Sequence, residues 1–407
     1  MTKAVVLGGA GGIGRVAAKT ISVTDDFDEI VIADLNKSHT DEVVKLLDRK
    51  GIVGREVDAT SQSSLKDEIH DADVVINCIG PFYRFGEPIL RAAIESKVNY
   101  VDVCDDLDAT EKQLNLFSDA ERNKVLAIIG LGNSPGLANL LAKFGAEDLM
   151  DECHSVEIMH IHGGEAFEGK AVIGHRIHAM VNDVPVFEDS KFKKVRLLEE
   201  SGLKYVQEVE FRDVGKYPVY PYPHPETITL PKYINGLKKV TNRGVVFPIE
   251  YFNLTMDVVR EGLKVCENNP SEEVIDEWAE SILSQRSKLL EKGNVTGPKG
   301  CLKIVLNGIK EKKSHTVIFS VSSTSDGAGA GTGIPAGLGA IMISRKLVDG
   351  VGVYPPEAVI SPLQALGLAS DLLPKLELNL GSSGTSIPLH IDQIFADGSI
   401  QELPLTL

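Results

Sequence analysis

The sequence predicts an α/β fold in which a doubly wound parallel sheet is combined with a second, α+β domain that carries a mixed or antiparallel sheet. Two patterns lead to this prediction. Up to residue 130, apolar runs such as Ala4–Leu7 and Val74–Ile79 alternate with segments of helical period, which is typical of parallel strands covered on both faces. Between residues 152 and 325, strand patterns follow one another with few helices, which favours an antiparallel or mixed sheet.

The parallel sheet is predicted to contain six strands with helices between them. The strands are Ala4–Leu7, Ile30–Ala33, Arg55–Val57, Val74–Ile79, Tyr100–Val103 and Val125–Ile129. The helices are Ile13–Ile21, Asp41–Arg49, Glu87–Ser96 and Glu111–Arg122. The apolar residues of Glu87–Ser96 fall on one helical face, as expected of a helix that covers a sheet.

The second region is predicted to contain four strands and one long helix. The strands are Ser155–Ile161, Lys204–Phe211, Cys301–Gly308 and His315–Ser323, the last two joined as a hairpin across Lys310–Ser314. The helix, Ser271–Leu290, begins with a serine cap. The glycine-rich stretch Asp326–Gly333 is interpreted as a flexible link before a helix that starts near Pro335, because proline suits a first helical turn.

The composition excludes several classes of protein. Of the 407 residues, 42 are Lys or Arg and 58 are Asp or Glu, so the net charge of −16 argues against binding to nucleic acid or to an anionic membrane. Nowhere do 18 apolar residues follow one another, and no signal sequence precedes Ala4–Leu7. The five scattered cysteines are typical of reduced thiols rather than of disulfides or a zinc site. We expect a soluble, cytoplasmic protein.

The strongest motif lies at the first strand–helix turn and reads Gly9-Ala10-Gly11-Gly12-Ile13-Gly14. Gly9 permits a tight turn, Gly11 allows close approach of a pyrophosphate, and Gly14 allows the helix to pack against the strand. The N-terminus of the helix attracts phosphates through its N–H groups and its dipole. Since Asp34 ends the second strand 20 residues after Gly14, the motif predicts a Rossmann domain that binds a dinucleotide, with a plain glycine turn as the alternative.

Asp34 also bears on which dinucleotide is bound. A carboxylate at this position accepts hydrogen bonds from the ribose hydroxyls and repels a 2′-phosphate, so it favours NAD over NADP. Lys37 follows closely in the sequence and would weaken that repulsion, so NADP is the alternative cofactor. In Val57-Asp58-Ala59, after the third strand, Asp58 and Ala59 are candidates to lie beside the adenine, although a solvated loop aspartate accounts for Asp58 as well.

Five further motifs point to a known family. They are Asn77-Cys78-Ile79-Gly80-Pro81-Phe82-Tyr83, Tyr100-Val101-Asp102, Gly132-Asn133-Ser134-Pro135-Gly136-Leu137-Ala138-Asn139, Thr332-Gly333-Ile334-Pro335-Ala336 and Gly352-Val353-Tyr354-Pro355-Pro356-Glu357. In this order the motifs resemble the saccharopine dehydrogenase (saccharopine reductase) family, which includes lysine 6-dehydrogenases and carboxynorspermidine dehydrogenases.

The resemblance implies a Rossmann domain that is interrupted by the α+β domain. The implied parts are residues 1–135 for the Rossmann domain, 136–328 for the substrate and dimerisation domain, 329–370 for a helical segment that returns to the first domain, and 371–407 for an extension packed on the second. The protein would be a homodimer that acts on a small amino acid or amine.

Members of the family interconvert an amine and an imine or aldehyde by hydride transfer to or from a nicotinamide. By resemblance, Gly9, Gly11, Gly12, Ile13 and Gly14 would hold the phosphates, and Asp34 would hold the adenosine ribose. Cys78, Ile79, Gly80 and Pro81 would flank the nicotinamide. The turn Pro135, Gly136 and Leu137 would close over the cofactor.

The first candidate for a proton relay is Asp102, at the carboxyl end of the fifth strand, where ligands of parallel sheets bind. A helix cap or a loop anchor is an equally good interpretation of this aspartate. Tyr83 is the second candidate. Thr332, in the C-terminal family motif, is a candidate substrate contact.

Four residues of the second region are also substrate candidates. Arg176 and Arg243 are suited to a substrate carboxylate, although most arginines lie on the surface. Tyr222 and His224 lie in the proline-rich segment 217–226, which suits a rigid loop at an active site or a plain extended connection, and is too rich in proline for a central strand.

No metal site is predicted. His160 and His162 alternate on a strand, and His175 and His178 are three residues apart, but no cysteine or carboxylate joins them at ligand spacing. Two alternatives to a saccharopine-type enzyme remain: a dehydrogenase of lysine or of a polyamine precursor, and a non-catalytic dinucleotide sensor that would keep Gly9–Gly14 and Asp34 without a polar substrate pocket.

Overall fold

A computed structural model describes residues 1–165, 168–266, 269–323, 328–376 and 389–404. These residues divide into two compact units, the first formed by residues 1–140 with 328–376 and the second by residues 141–323 with 389–404. The start of the predicted link, at Asp326, and part of the predicted extension 371–407 lie outside the described residues. Among the helices that are described, none is long and apolar enough to cross a bilayer.

The first unit is built on the predicted parallel sheet. Its strands are β1 (Lys3–Leu7), β2 (Glu29–Asp34), β3 (Ile52–Glu56), β4 (Val74–Asn77), β5 (Asn99–Asp102) and β6 (Leu126–Ile128). The helices that connect them are α1 (Gly14–Ser22), α2 (Lys37–Leu47), α3 (Gln62–Ile69), α4 (Phe82–Ser96), α5 (Leu107–Leu114) and α6 (Phe117–Asn123), and α7 (Leu137–Asp148) follows β6. The order β6-β5-β4-β1-β2-β3 is doubly wound, so the predicted fold class is confirmed. Helix α3, which Ser61 caps, was not predicted.

The second unit contains a mixed sheet with helices between its strands. Its strands are β7 (Glu152–Gly163), β8 (Val184–Glu188), β9 (Lys191–Val195), β10 (Gln207–Phe211), β11 (Gly215–Pro221), β12 (Lys239–Phe247), β13 (Lys299–Lys310) and β14 (Lys313–Ser323). Its helices are α8 (Lys170–Val181), α9 (Glu200–Leu203), α10 (Glu226–Tyr233), α11 (Ile249–Leu263) and α12 (Glu272–Lys292). The predicted hairpin is confirmed in β13 and β14, and the predicted long helix in α12.

The chain then returns to the first unit and ends in the second. The returning elements are α13 (Ala328–Ser344), β15 (Gly352–Tyr354), α14 (Pro356–Val359) and α15 (Pro362–Leu372), and the last two strands are β16 (Leu389–Phe395) and β17 (Ile400–Glu402). Strand β15 pairs in parallel with β6 and extends the first sheet to seven strands. In the second sheet the order is β10-β11-β12-β7-β13-β14-β16-β17, with only the β12–β7 pair on this path parallel.

The prediction that the proline-rich segment is no interior strand was wrong, since β11 lies between β10 and β12. Residues 215–219 pair with β10, whereas Tyr220 and Pro221 pair with β12. Because no residue of β11 is paired on both sides, Pro218 and Pro221 remove fewer ladder hydrogen bonds than they would in an ordinary central strand.

The glycine-rich stretch before Pro335 belongs to helix α13 wherever it is described, so the prediction of a flexible link was wrong. Gly329, Gly333 and Gly337 recur at every fourth position and therefore lie on one face of the helix. A Cβ atom at Gly333 would lie 2.6 Å from the carbonyl oxygen of Ile13, and one at Gly337 would lie 2.6 Å from Cβ of Thr20. The glycines thus allow α13 to pack closely on α1.

A buried carboxylate ties together the carboxyl ends of the first sheet. Asp102, the last residue of β5, has no exposed surface. Its Oδ1 accepts hydrogen bonds from the amides of Cys104, at 3.0 Å, and Gly130, at 2.7 Å. Its Oδ2 accepts from the Tyr100 hydroxyl, at 2.9 Å, and from Nε2 of Gln113, at 2.5 Å.

These four hydrogen bonds assign Asp102 the role of a loop anchor, which was the alternative interpretation of its sequence motif. The expectation that it faces the ligand crevice was wrong, because the carboxylate is enclosed by its donors. Burial raises the pKa of Asp102, although the hydrogen bonds from Gly130, Cys104, Gln113 and Tyr100 act in the opposite direction.

We predict that Asp102→Ala destabilises the protein strongly, by about 3–5 kcal/mol, because the substitution leaves four buried donors without an acceptor. Asp102→Asn keeps the shape and one acceptor oxygen, so its free energy of unfolding should fall by less. Urea unfolding followed by circular dichroism measures both. If Asp102→Ala unfolded like the wild type while losing turnover, Asp102 would be the proton relay and not an anchor.

Candidate functional site

The glycine-rich turn between β1 and α1 has the geometry of a phosphate-binding loop. Gly8 has a positive φ of 72°, a conformation that favours glycine. A Cβ atom at Gly9 would lie 2.8 Å from the carbonyl oxygen of Val6, and one at Gly14 would lie 2.1 Å from that of Gly8. The predicted structural roles of Gly9 and Gly14 therefore match the geometry. Gly8 was missed, although a glycine directly before the motif was a signal for it.

The outer side of this turn has room for a ligand. No described atom beyond the chain neighbours lies within 4 Å of a Cβ atom placed at Gly12. Ile13 is the N-cap of α1, and the amides of Arg15 and Val16 in the first turn donate to the carbonyl oxygens of Gly11 and Ile13, at 3.1 and 3.0 Å. A backbone without side chains beside a helix N-terminus fits the pyrophosphate of a dinucleotide. There is less space at Gly11, where a Cβ atom would lie 3.2 Å from the carbonyl oxygen of Gly8.

Asp34 is held against the glycine turn at the end of β2. Its Oδ2 accepts a hydrogen bond from the amide of Ala10 at 3.2 Å, and its Oδ1 accepts one from the amide of Leu35 at 2.8 Å. The half-buried carboxylate therefore lies where the ribose of a dinucleotide is expected. Lys37, which was expected to soften its charge, forms an ion pair with Asp41 instead. Sequence reasoning missed Arg15, whose Nη2 donates to the Ala10 carbonyl at 2.9 Å.

The predicted adenine contacts lie between β3 and α3. Asp58 is exposed, and its Oδ1 accepts hydrogen bonds from the hydroxyl and the amide of Thr60, at 2.7 and 2.8 Å, which lower the pKa of Asp58. Ala59 packs partly against the apolar core of the first unit. The carboxylate thus stabilises a turn, and contact with adenine remains a prediction.

The segment Cys78–Pro81, between β4 and α4, lies directly against the glycine turn. A Cβ atom at Gly8 would lie 3.0 Å from the carbonyl carbon and oxygen of Cys78, and no described atom beyond the chain neighbours lies within 4 Å of a Cβ atom at Gly80. Burial and the charge of Asp102 raise the pKa of Cys78 to about 12, so this thiol is neutral at pH 7. The predicted nicotinamide segment and the predicted phosphate loop are therefore adjacent.

Tyr83 follows this segment in the first turn of α4. Its side chain is half-buried, and its amide donates a hydrogen bond to Oδ2 of Asp106 at 2.8 Å. The tyrosine is therefore held at the carboxyl edge of the sheet, where the Cys78–Pro81 segment also lies.

Two of the family motifs meet in the first unit, although 218 residues separate them. Nδ2 of Asn139 donates a hydrogen bond to Oε2 of the buried Glu357 at 2.8 Å, and its Oδ1 accepts one from the amide of Gly136 at 2.8 Å. The turn around Pro135 and Leu137 is closed by hydrogen bonds with Gly132, at 2.9 and 2.8 Å. This turn, which was predicted to close over the cofactor, is thus fixed by a residue near the end of the chain.

Thr332 belongs to the first unit as well. It lies half-buried on α13, and its Cγ2 is 2.9 Å from the Cβ position of Gly132. The structure therefore places this predicted substrate contact beside the turn that Asn139 fixes.

In the second unit, Tyr222 and His224 are both buried, and they join a cluster of histidines. The ring of His160 stacks on that of His224, with centroids 5.0 Å apart and planes 9° apart. Tyr222 lies edge-on to both rings, at 5.5 and 5.1 Å. His162 stacks on His160 at 6.1 Å, and His175 lies 6.4 Å from His224. We call His160, His162, His175 and His224 the histidine cluster.

The histidine cluster is held by β12. Nε2 of His160 and Oδ1 of Asn242 are 3.1 Å apart, and Nδ2 of Asn242 lies 3.5 Å from Nδ1 of His224 and 3.3 Å from Oε1 of the fully buried Glu226. A Cβ atom at Gly244 would lie 2.1 Å from the His160 ring, so glycine provides the space for that imidazole. Neither Asn242 nor Gly244 was singled out from the sequence, because nothing local marks them.

Burial makes three histidines of this cluster poor bases. It lowers the pKa of His160 to about 3, with a further contribution from His162, and it lowers the pKa of His224 well below its usual range, as do the neighbouring imidazoles. The pKa of His162 is also lowered by burial, although the charge of Glu165 opposes this effect. At neutral pH the imidazoles of His160 and His224 are therefore uncharged.

Arg176 lies close to this cluster on α8. It is 2% exposed, donates a hydrogen bond to Glu168 and lies 4.9 Å above the ring of Tyr251. Glu168 also accepts from Nε of Arg286, at 3.2 Å, and from the Tyr251 hydroxyl, at 2.6 Å. Although burial opposes it, the pKa of Glu168 is lowered by these neighbours, so the carboxylate is charged at neutral pH.

Arg243 does not join the cluster, so the structure gives no support to its predicted contact with substrate. It pairs in register with Met159, whereas His160 pairs with Gly244, and alternate residues of a strand point to opposite faces. Its guanidinium forms an ion pair with Glu157 and a hydrogen bond of 2.7 Å with Oε1 of Gln207.

Comparison with known proteins agrees with this geometry. Residues 4–128 match the family model of the saccharopine dehydrogenase NADP binding domain. The chain is 22% identical to carboxyaminopropylagmatine dehydrogenase of Synechocystis sp. over 394 residues, which cover 89% of this chain and 96% of the relative. It is 25% identical to carboxynorspermidine synthase of Vibrio cholerae over 281 residues, which cover 61% of this chain and 65% of the relative. Both relatives are named as enzymes, and neither name describes a sensor.

A solved structure shares the fold. Apo saccharopine dehydrogenase (L-Glu forming) from Saccharomyces cerevisiae superposes with a TM-score of 0.64 at 14% identity, covering 91% of this chain and 97% of that chain. The resemblance inferred from the sequence motifs is confirmed, as is NAD(P) as the cofactor. Residues 4–128 therefore carry the cofactor domain of the saccharopine dehydrogenase family, and the chain is an NAD(P)-dependent oxidoreductase.

Proposed function

We propose that the protein transfers hydride between a nicotinamide cofactor and the CH–NH group of an amino acid such as saccharopine. The observation that carries this proposal is the phosphate loop with Asp34 beside it, formed by residues that match a dehydrogenase cofactor domain. When bound, the nicotinamide supplies the hydride acceptor or donor. The chain supplies the binding sites, the orientation of the reactants and a route for the proton.

A second candidate substrate is a polyamine that carries a carboxyl group. The names of two relatives, carboxyaminopropylagmatine dehydrogenase and carboxynorspermidine synthase, describe such compounds, and the first relative is matched over 96% of its length. Lysine is a third candidate. All three compounds carry an amine and a carboxylate, so each requires a site that recognises both groups.

Cofactor binding is assigned to the first unit. Gly9, Gly11, Gly12, Ile13 and Gly14 shape the turn for the pyrophosphate, and Cys78, Ile79, Gly80 and Pro81 flank the nicotinamide. Pro135, Gly136 and Leu137 cover the cofactor, Asp58 and Ala59 lie towards the adenine, and Asp34 holds the ribose. Asp34 also makes NAD the preferred dinucleotide, because its carboxylate would repel a 2′-phosphate.

Proton transfer is assigned to Tyr83. Since Asp102 is enclosed by four donors, it has no lone pair left for a substrate proton. Tyr83 lies at the same edge of the sheet as Cys78–Pro81, and its side chain is half-buried. In the second unit, Arg176, Tyr222 and His224 are assigned to substrate binding.

The assembly and the location are further parts of this proposal. We propose a homodimer that uses the mixed sheet of the second unit, and a cytoplasmic location. The location is supported by the acidic composition and by the free thiols of Cys78, Cys104, Cys153, Cys266 and Cys301.

The preference for NAD is testable through Asp34. We expect the wild type to bind NADH more tightly than NADPH, and Asp34→Ser to reduce the ratio of the two dissociation constants about tenfold, because a repulsion of about 1.4 kcal/mol is removed. Fluorescence titration measures both constants. Glu42→Gln, which removes an exposed carboxylate from α2, is the matched control. A wild type that prefers NADPH, with a ratio unchanged by Asp34→Ser, would contradict the proposal.

The reaction itself is testable with a panel of amines. Saccharopine, lysine and carboxynorspermidine are supplied with NAD or NADP, and formation of the reduced cofactor is followed by its fluorescence. We expect turnover of one of them, with kcat/KM at least about 100-fold lower for its analogue without the carboxylate, because a buried guanidinium would lose its partner. Cofactor binding without turnover of any amine would count against the proposed reaction.

If Tyr83 relays the proton, Tyr83→Phe should lower kcat by about 10²–10⁴-fold, the usual contribution of a general acid or base. The substrate for this measurement is the amine that the panel identifies. The dissociation constant for NADH should stay unchanged. Tyr354→Phe, which removes a hydroxyl bonded to the Val351 carbonyl in the same unit, is the control. Equal kcat values for the two variants would exclude Tyr83 as the relay.

A further inference from the structure

The side chain of Arg15 is held against the glycine turn by the backbone of that turn. Its Nη2 donates to the carbonyl oxygen of Ala10 at 2.9 Å, and its Nε donates to that of Gly11 at 3.3 Å. These bonds use two of the five N–H donors of the guanidinium, and the others are left for a ligand. The side chain is exposed and, within the described part of the chain, it forms no ion pair. Arg15 therefore presents an accessible positive charge at the turn.

Arg15 and Asp34 are bonded to the same residue of the turn. Ala10 accepts from Arg15 at its carbonyl oxygen, and its amide donates to Oδ2 of Asp34 at 3.2 Å. Asp34 is the residue expected to bind the adenosine ribose, and NADP differs from NAD by a phosphate on the 2′-oxygen of that ribose. A 2′-phosphate would therefore come within reach of both side chains. The carboxylate repels it, whereas the guanidinium attracts it.

The segment that follows β2 already has partners for the groups that would attract a phosphate. Lys37, the cation first expected to offset the carboxylate, forms an ion pair with Asp41. At the start of α2, the amides of Ser38 and His39 donate to Oδ1 of Asn36, at 3.0 and 3.3 Å. Free amides at a helix N-terminus are the usual backbone donors to a phosphate. These groups of α2 are thus satisfied without a ligand.

We propose that Arg15 binds the 2′-phosphate of NADP, so that the protein accepts NADP as well as NAD. Asp34 keeps NAD the preferred dinucleotide, and Arg15 limits that preference. A guanidinium suits this role because it carries a permanent charge and its planar donors match the oxygens of a phosphate. This inference rests on the proposed function, because it requires that Asp34 holds the ribose of a nicotinamide dinucleotide.

The experiment compares two pairs of ligands that differ only in the 2′-phosphate. NADH and NADPH are titrated into the full-length protein and followed by fluorescence. Adenosine 5′-monophosphate and adenosine 2′,5′-bisphosphate, which lack the nicotinamide, are followed by ligand-observed NMR. Arg15→Gln should weaken NADPH and the bisphosphate about tenfold or more and leave NADH and the monophosphate within about twofold. Arg15→Lys keeps the charge without the planar fork, so the loss of NADPH affinity should be smaller.

A matched control exists on the same helix. Lys19→Gln removes a positive charge from the last turn of α1, whereas Arg15 lies in the first turn. All four affinities should stay within about twofold of the wild type in this control. Thermal unfolding reports whether each variant is folded. Arg15→Met, which keeps an unbranched side chain without the charge, replaces Arg15→Gln if that variant is not.

Equal losses of NADH and NADPH affinity in Arg15→Gln would overturn the assignment, because Arg15 would then brace the turn or contact the pyrophosphate that both cofactors share. Unchanged affinities for all four ligands would overturn it as well. The outcome is separable from that of the proposed reaction. If Arg15→Gln weakens NADPH and the bisphosphate alone but no amine is turned over, the phosphate contact stands and the reaction fails. If an amine is turned over but the two cofactors are weakened alike, the reaction stands and the contact fails.

Discussion

The carboxyl edge of the first sheet depends on one buried carboxylate. Asp102 accepts hydrogen bonds from β5, from the loop after β6 and from α5, and through Tyr100 it reaches Asn77 at the end of β4. Asn77 in turn accepts from the amide of Ile79, at the start of the predicted nicotinamide segment. Since an unpaired buried charge is very unfavourable, these groups have to keep their positions together. The loops of the predicted cofactor site are therefore held relative to one another by the fold itself.

The second constraint on this site is the close packing of backbone against backbone. The glycine turn leaves space on its outer side, whereas on its inner side Gly14 lies so close to Gly8 that a side chain would collide. On α13, Gly333 packs just as closely against the start of α1. The helix that begins at the predicted phosphate loop is thus supported by a segment that follows residues 141–323 of the second unit in the chain. The return of the chain to its first sheet consequently supports the predicted cofactor site.

Local patterns made much of this architecture predictable. Apolar runs marked the six parallel strands, and the spacing of glycines and Asp34 marked the cofactor loop. The register of the second sheet was not predictable, because it depends on pairings between distant strands. This register places Arg243 against Glu157 and His160 against Asn242. A shift of one residue would turn these side chains to the opposite faces of the sheet. Asp102 was predicted to be a proton relay because it lies at the end of a strand. Its surroundings depend on hydrogen-bond donors up to 28 residues away in the sequence.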